Sequence, residues 1–186
     1  MRNYKCLTAN VYKNKTLTLL PLRDEDKYAI LKMRNEQIYH LRQAELLSVE
    51  KQEDYFANVI SQLFEQKEPG QLLFSLLEND KFIGYGGLVH INWVDRNAEI
   101  SFIMKTELEE EKFEYYWQNY LSLLENVAFK ELKFHKIFTY AFDLRRHLYP
   151  ILEKSGFKEE ARLKEHCLFE GKYLDVVINS KINKDA

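Results

Sequence analysis

Turn-forming residues are scarce in this chain: 6 glycines and 3 prolines are spread over 186 residues. That excludes a flexible linker, a low-complexity tract or a glycine-repeat fibre. Cysteine is scarcer still. Cys6 and Cys167 are too few and too far apart for a metal set, and nothing supports a disulfide scaffold. No apolar run reaches the length of a membrane span, and no signal-type apolar core follows Met1. Neither sign of charge dominates, because 27 Lys and Arg stand against 29 Asp and Glu. A broad basic surface for nucleic acid is therefore not expected. These absences predict a soluble, cytoplasmic protein without a membrane or nucleic-acid partner.

Aromatic residues are plentiful, with 12 Tyr and 12 Phe. The length suits one domain, residues 1–186, with a substantial core. Residues 16–22 read as a strand closed by Pro21. Asp24 is expected to cap a helix running through Asn35, and Ser48 to open a second. Tyr55, Phe56, Val59, Ile60 and Leu63 fall at helical spacing on the second helix. Residues 72–77 read as a strand ending at an Asn79-Asp80 turn. Residues 108–133 form a long amphipathic helix with a charged first half. A strand at 136–142 and a short helix at 145–154 follow, the helix stopped by Gly156. The last two strands flank a Glu170-Gly171-Lys172 turn. The order βααβββαβαββ implies one mixed sheet covered by helices.

The centre of interest is the segment FIGYGGLVHINWVDRNAEISFIM, residues 82–104. It reads as a hairpin of two buried strands around Asp95-Arg96-Asn97. Glu99 lies just inside the second strand. A carboxylate held there beside apolar groups suits a general base. The alternative reading is a carboxylate that is solvated or paired with Arg96. His90, near the end of the first strand, is the other candidate base, or else a structural hydrogen-bonder. Arg34, Asn35, Gln37, Arg42 and Gln43 form a polar cluster on and after the first helix. They suit recognition of an anionic, hydroxyl-rich molecule, or simply make a solvated helix face.

Three segments together carry a family resemblance: RNEQ at 34–37 with LRQ at 41–43, the hairpin itself, and LEKSGFKEEARLKEHCLFEGKYLDVV at 152–177. In this order they resemble the GNAT superfamily of acyl-CoA-dependent N-acyltransferases. The segments are most similar to enzymes that acylate nucleotide-linked amino sugars for surface polysaccharides. The resemblance implies an α/β fold of mixed type, with a central, mostly antiparallel sheet flanked by helices. A V-shaped splay is expected between the fourth and fifth strands. It implies acyl-CoA as co-substrate, no metal, and direct attack of the acceptor amine in a ternary complex. The acyl group would be acetyl or a short hydroxyacyl such as 3-hydroxybutyryl. The acceptor would be of the dTDP-3-amino-3,6-dideoxyhexose type. Donor-binding positions implied are Ile103, Met104, Lys105, Lys112, Asp143, Arg145 and Tyr149. Acceptor positions implied are Arg34, Asn35, Gln37, Arg42, Gln43, Tyr85 and Trp93. Glu99 falls where the family often holds a glutamate, and Tyr149 or His147 is placed to protonate the leaving thiolate. A homodimer through the last hairpin is a family tendency.

Two departures stand out. The usual glycine-rich loop for the CoA pyrophosphate is replaced by KTELEEEK at 105–112, which has no glycine and four glutamates. The tyrosine often found before the GF element is Leu152. Two rivals follow: a protein N-acetyltransferase of the ribosomal-protein type, and a GNAT-shaped binding module without catalysis.

Overall fold

The apolar, β-prone runs become strands between the turns that bound them. The computed structural model describes residues 2–184. Strands β1 (Tyr12–Lys13), β2 (Leu17–Pro21), β3 (Leu72–Glu78), β4 (Lys81–Asn92) and β5 (Asn97–Met104) form an antiparallel run. β6 (Lys136–Phe142) lies parallel to β5. The last hairpin, β7 (Lys158–Phe169) and β8 (Lys172–Ile182), completes the sheet in the order β1-β2-β3-β4-β5-β6-β8-β7. β1 is too short to leave a pattern in the sequence.

The helices are α1 (Lys27–Glu36), α2 (Val49–Tyr55), α3 (Ser61–Leu63), α4 (Thr106–Glu125) and α5 (Leu148–Lys154). π-helical turns join α2 to α3 and extend α4 as far as Glu131. Ser48 caps α2 by accepting from the amide of Lys51. Asp24 does not cap α1. It begins a 3₁₀ turn, Asp24–Asp26, and pairs with Arg2. Asp26 is instead the buried acid, held by Arg23 and by the hydroxyl of Ser75. Gly156, at φ 85°, ends α5 in the left-handed conformation.

Successive side chains along β5 face opposite sides of the sheet. Phe102 stacks on Tyr120 of α4, with centroids 3.9 Å apart, and meets Trp117 edge-on. Glu99 points the other way, towards the segment joining α1 to α2. Gly86 of β4 lies opposite Phe102. A Cβ there would come within 2.1 Å of the Ser101 carbonyl and 2.7 Å of the Tyr120 hydroxyl. That hydroxyl donates to the same carbonyl at 2.7 Å. Glycine is thus required where α4 presses a polar contact through to the strands. No helix among the described residues is long and apolar enough to cross a membrane.

Candidate active site

β5 and β6 pair through only three positions, Asn97 with Lys136, Ala98 with Ile137 and Glu99 with Phe138. Beyond Glu99 the strands part. A cavity of about 530 Å³ opens between them, lined by residues 99–102 of β5 and 139–142 of β6. Arg34, His40 and Arg42 close one side, and Trp117, Arg145 and Leu148 the other. A second cavity of about 480 Å³ lies under α1 and α2, and includes Tyr55, Tyr85 and Lys51. The two share Arg34, Gln71, Val89 and Ser101. Two neighbouring volumes with a common wall are the geometry needed to bring two molecules to one reacting point.

Glu99 sits at the vertex of the splay and is only 6% exposed. Its Oε1 accepts from Arg42 and its Oε2 from Nδ1 of His90, at 2.9 Å. Arg96 is not its partner. His90 reaches Glu99 because β4 slips register between Val89 and Asn92. A bulge places an extra residue on one strand and re-aims its neighbours. His90 takes φ 49°, a conformation unusual for a non-glycine residue, and its ring remains largely exposed. Arg42 also lies over the ring of Tyr140, 4.5 Å from its centroid.

The polar cluster after α1 is an interlocked set. Arg34 donates to the Tyr85 hydroxyl at 2.9 Å and to Oε1 of Gln43 at 3.0 Å. Asn35 accepts from Gln43 and from the amide of Leu47, and donates to the Leu47 carbonyl. Asn35 and Gln43 therefore shape the loop and hold Arg34 at the common wall of the cavities. Gln37 is 1% exposed and bridges Met104, Thr106 and His40.

His40 drew no attention in the sequence, yet it lines the cavity, with Arg145 Nη1 3.1 Å from its Nδ1. Burial, aided by the Arg145 charge, pulls its pKa down to about 3, so the ring is neutral. Arg145 also pairs with Glu109 of α4. The other acidic residues of the KTELEEEK stretch, Glu107, Glu110 and Glu111, face solvent.

Several expected residues lie elsewhere. Trp93 donates to the Pro69 carbonyl at 3.0 Å and packs edge-on against Phe134, outside the cavity lining. Tyr149 is also outside it. Its hydroxyl donates to Asp143 at 2.8 Å, and burial together with that bond pushes its pKa upward. Burial alone would raise the Asp143 carboxyl, but hydrogen bonds from Tyr149 and Arg162 hold it below its usual range. Ile103 and Met104 are buried, and Lys105 precedes α4. Lys112 is exposed at a kink in α4, with φ −137° and ψ 30°. His147 packs edge-on against Phe113.

The family model described as "Acetyltransferase (GNAT) domain" matches residues 19–178. The chain belongs to the GNAT acetyltransferase family. It is an N-acyltransferase, and acyl-CoA is its donor substrate. Among solved structures, it is similar to spermidine N-acetyltransferase from Vibrio cholerae in complex with CoA and spermine. That match has a TM-score of 0.77 at 23% identity, and covers 91% of this chain and 96% of the other. A chimera of Vibrio cholerae spermidine N-acetyltransferase SpeG with hSSAT gives a TM-score of 0.76 at 24% identity, covering 90% and 96%. A comparison with curated protein sequences found no match.

The cavity of this GNAT enzyme suits a donor with an extended arm rich in hydrogen-bond acceptors. Trp117 Nε1 and Arg145 Nε are buried and have no partner among the described residues. Both residues line the cavity. Buried donors without acceptors are costly, and a bound ligand that supplies oxygens removes the cost.

Proposed function

We propose that this enzyme acylates the amino group of an anionic acceptor, and that the acceptor is a nucleotide-linked amino sugar. The observation that carries this reading is Arg34. It stands at the wall common to both cavities and bonds only neutral partners, Tyr85 and Gln43. Among the described residues no carboxylate pairs with it. A guanidinium placed in a cavity without a counter-charge favours a ligand that brings one, and its planar fork suits phosphate oxygens.

The donor supplies a thioester whose carbonyl carbon takes the amine nitrogen as the C–S bond breaks; CoA leaves as its thiolate, which takes up the proton that the nitrogen sheds after attack. Residues 100–102 and 139–142 would flank the donor's arm. The amine must be neutral to attack, so a proton must leave it. His90 is the group to receive that proton: its ring is accessible, lines the cavity and is oriented through Nδ1 by Glu99. Glu99 already accepts from both Arg42 and His90, so its role is to hold and orient. Alignment of the two substrates across the shared wall supplies much of the rest.

The structural neighbours suggest a second reading, a polyamine acceptor. The charge at the common wall opposes it. Arg34 stands there without a carboxylate, whereas Arg42 is paired with Glu99 and Arg145 with Glu109. A polycation gains little beside an uncompensated guanidinium. The deciding experiment is CoA release from acetyl-CoA with a panel of dTDP- and UDP-linked amino sugars, spermidine and a peptide with a free N-terminus. Turnover with a nucleotide-linked amino sugar and none with spermidine is expected. Preference for spermidine or the peptide would reject the reading.

A further inference from the structure

We infer that Arg145 is the cation that takes the donor's diphosphate, and that Glu109 holds its place until the donor arrives. This rests on acyl-CoA as donor and not on the identity of the acceptor. The start of α4, where the family's glycine-rich loop would stand, carries no glycine in KTELEEEK. Its first turn is acidic, and Lys105 at the N-cap makes no side-chain cap. An anion is nevertheless favoured at a helix start, because the unpaired amides and the dipole point there. Glu109 is the one glutamate of that stretch that turns inward. Its side chain is 11% exposed and meets that of Arg145, also 11% exposed.

Three features mark this pair as provisional. First, it is only partly satisfied. Arg145 gives Nη2 to Glu109 and Nη1 to His40, while its Nε has no partner among the described residues. Trp117, 4% exposed, leaves its Nε1 unpartnered beside the same cavity. A desolvated ion pair with donors left over returns little of its burial cost. Second, the guanidinium lies over the ring of Phe113, 4.9 Å from its centroid, and near that of Trp117 at 6.0 Å. This stacking positions the cation without using its N–H groups, so they can change acceptor. Third, Arg145 comes from the turn before α5, and Glu109 from α4. Their meeting joins the lining of the cavity between β5 and β6 to the start of α4. A diphosphate brings more oxygens and more charge than one carboxylate. It would exchange with Glu109 for the Nη2 hydrogen bond and satisfy the orphaned Nε. Binding by a guanidinium then replaces binding by a glycine nest.

The test is calorimetric titration of the full chain, without acceptor, using acetyl-CoA, 3′-dephospho-acetyl-CoA and S-acetylpantetheine, which lacks the diphosphate. Arg145→Gln is expected to weaken both nucleotide donors about tenfold or more and to leave S-acetylpantetheine unchanged. Glu109→Gln is expected to tighten the nucleotide donors several-fold at low salt, with the gain shrinking as salt is added. The opposite signs matter, because a pair that only braces the fold would lose affinity in both variants. Equal weakening of S-acetylpantetheine by Arg145→Gln, or weaker acetyl-CoA binding in Glu109→Gln, would overturn the assignment. If Arg145→Gln does not fold, as read by its melting curve, the Glu109→Gln titration decides alone. Because no acceptor is present, failure here leaves the acceptor reading untouched.

Discussion

At Glu99 both carboxylate oxygens already have donors, and this shapes what each neighbour can do. The sequence offered Glu99 and His90 as rival bases. The structure joins them through a 2.9 Å contact, with Arg42 on the far oxygen. His90→Gln is expected to lower kcat by roughly 10²-fold, the lower end for loss of general-base catalysis. Glu99→Gln is expected to lower kcat by less, because it removes the group that orients the ring and not the ring itself. If Glu99→Gln costs more than His90→Gln, the proton belongs to Glu99. His40 poses a separate question of stability. Its ring titrates near 6.5 when unfolded, but burial and Arg145 keep it neutral in the fold down to about 3. Between these values the unfolded chain binds the extra proton. Stability from this group is therefore present above about pH 6.5 and lost on acidification towards 3, at up to ~1.4 kcal/mol per pH unit. His40→Asn should flatten that dependence in melting curves recorded between about pH 4 and 7. Parallel curves for the two proteins would count against it. None of this was legible from spacing. Glu99 and Arg42 are 57 positions apart, and only the tertiary fold decides that Arg42, and not the adjacent Arg96, is the partner.

Elements were far more legible than pairings. The strands at 72–78, 97–104 and 136–142 follow from apolar, β-prone runs bounded by turn residues, and the last hairpin from its Glu-Gly-Lys turn. Local chemistry misled at α1, where Asp24 looks like a cap but a 3₁₀ turn intervenes. There Arg23 and Ser75 recruit Asp26, and a burial decision beats a local capping preference. The glycines of β4 were visible as a cluster, but the reason for Gly86 was not. It exists because Tyr120 reaches through to Ser101. Gly86→Ala would drive a Cβ into backbone atoms of β5 that cannot yield, since Ser101 O and Phe102 Cα lie 2.1 and 2.8 Å away. A loss of about 3 kcal/mol is expected, lowering the melting temperature by roughly 10 °C. A melting temperature within a degree or two of the parent would mean that the β4–β5 register can shift without cost. The splay beyond Glu99 would then not depend on this contact.

Across the whole molecule, charge is separated in a way that composition conceals. The chain is nearly balanced, with a net charge of −2. Yet three arginines line the cavity between β5 and β6; Arg42 pairs with Glu99 and Arg145 with Glu109, which leaves Arg34 without a carboxylate, while Glu107, Glu110 and Glu111 are turned out to solvent. The arginines come from α1, from the segment after it and from the turn before α5, so no window of sequence shows the concentration. A cleft of one sign raises the local concentration of an oppositely charged ligand, and salt weakens the effect over a Debye length of about 8–10 Å. The acceptor's KM should therefore rise several-fold between low and physiological salt when the acceptor is a nucleotide-linked amino sugar, with kcat little changed. Arg34→Gln should raise that KM about tenfold and flatten its salt dependence, since the charge removed is one with no internal partner. Arg34→Lys should keep the salt dependence while losing part of the affinity, because an ammonium retains the charge but not the fork. A KM indifferent to salt and to Arg34 would mean that the acceptor is held by the aromatic and amide groups of the second cavity, Tyr55 and Gln71 among them. The anionic acceptor would then have to be given up.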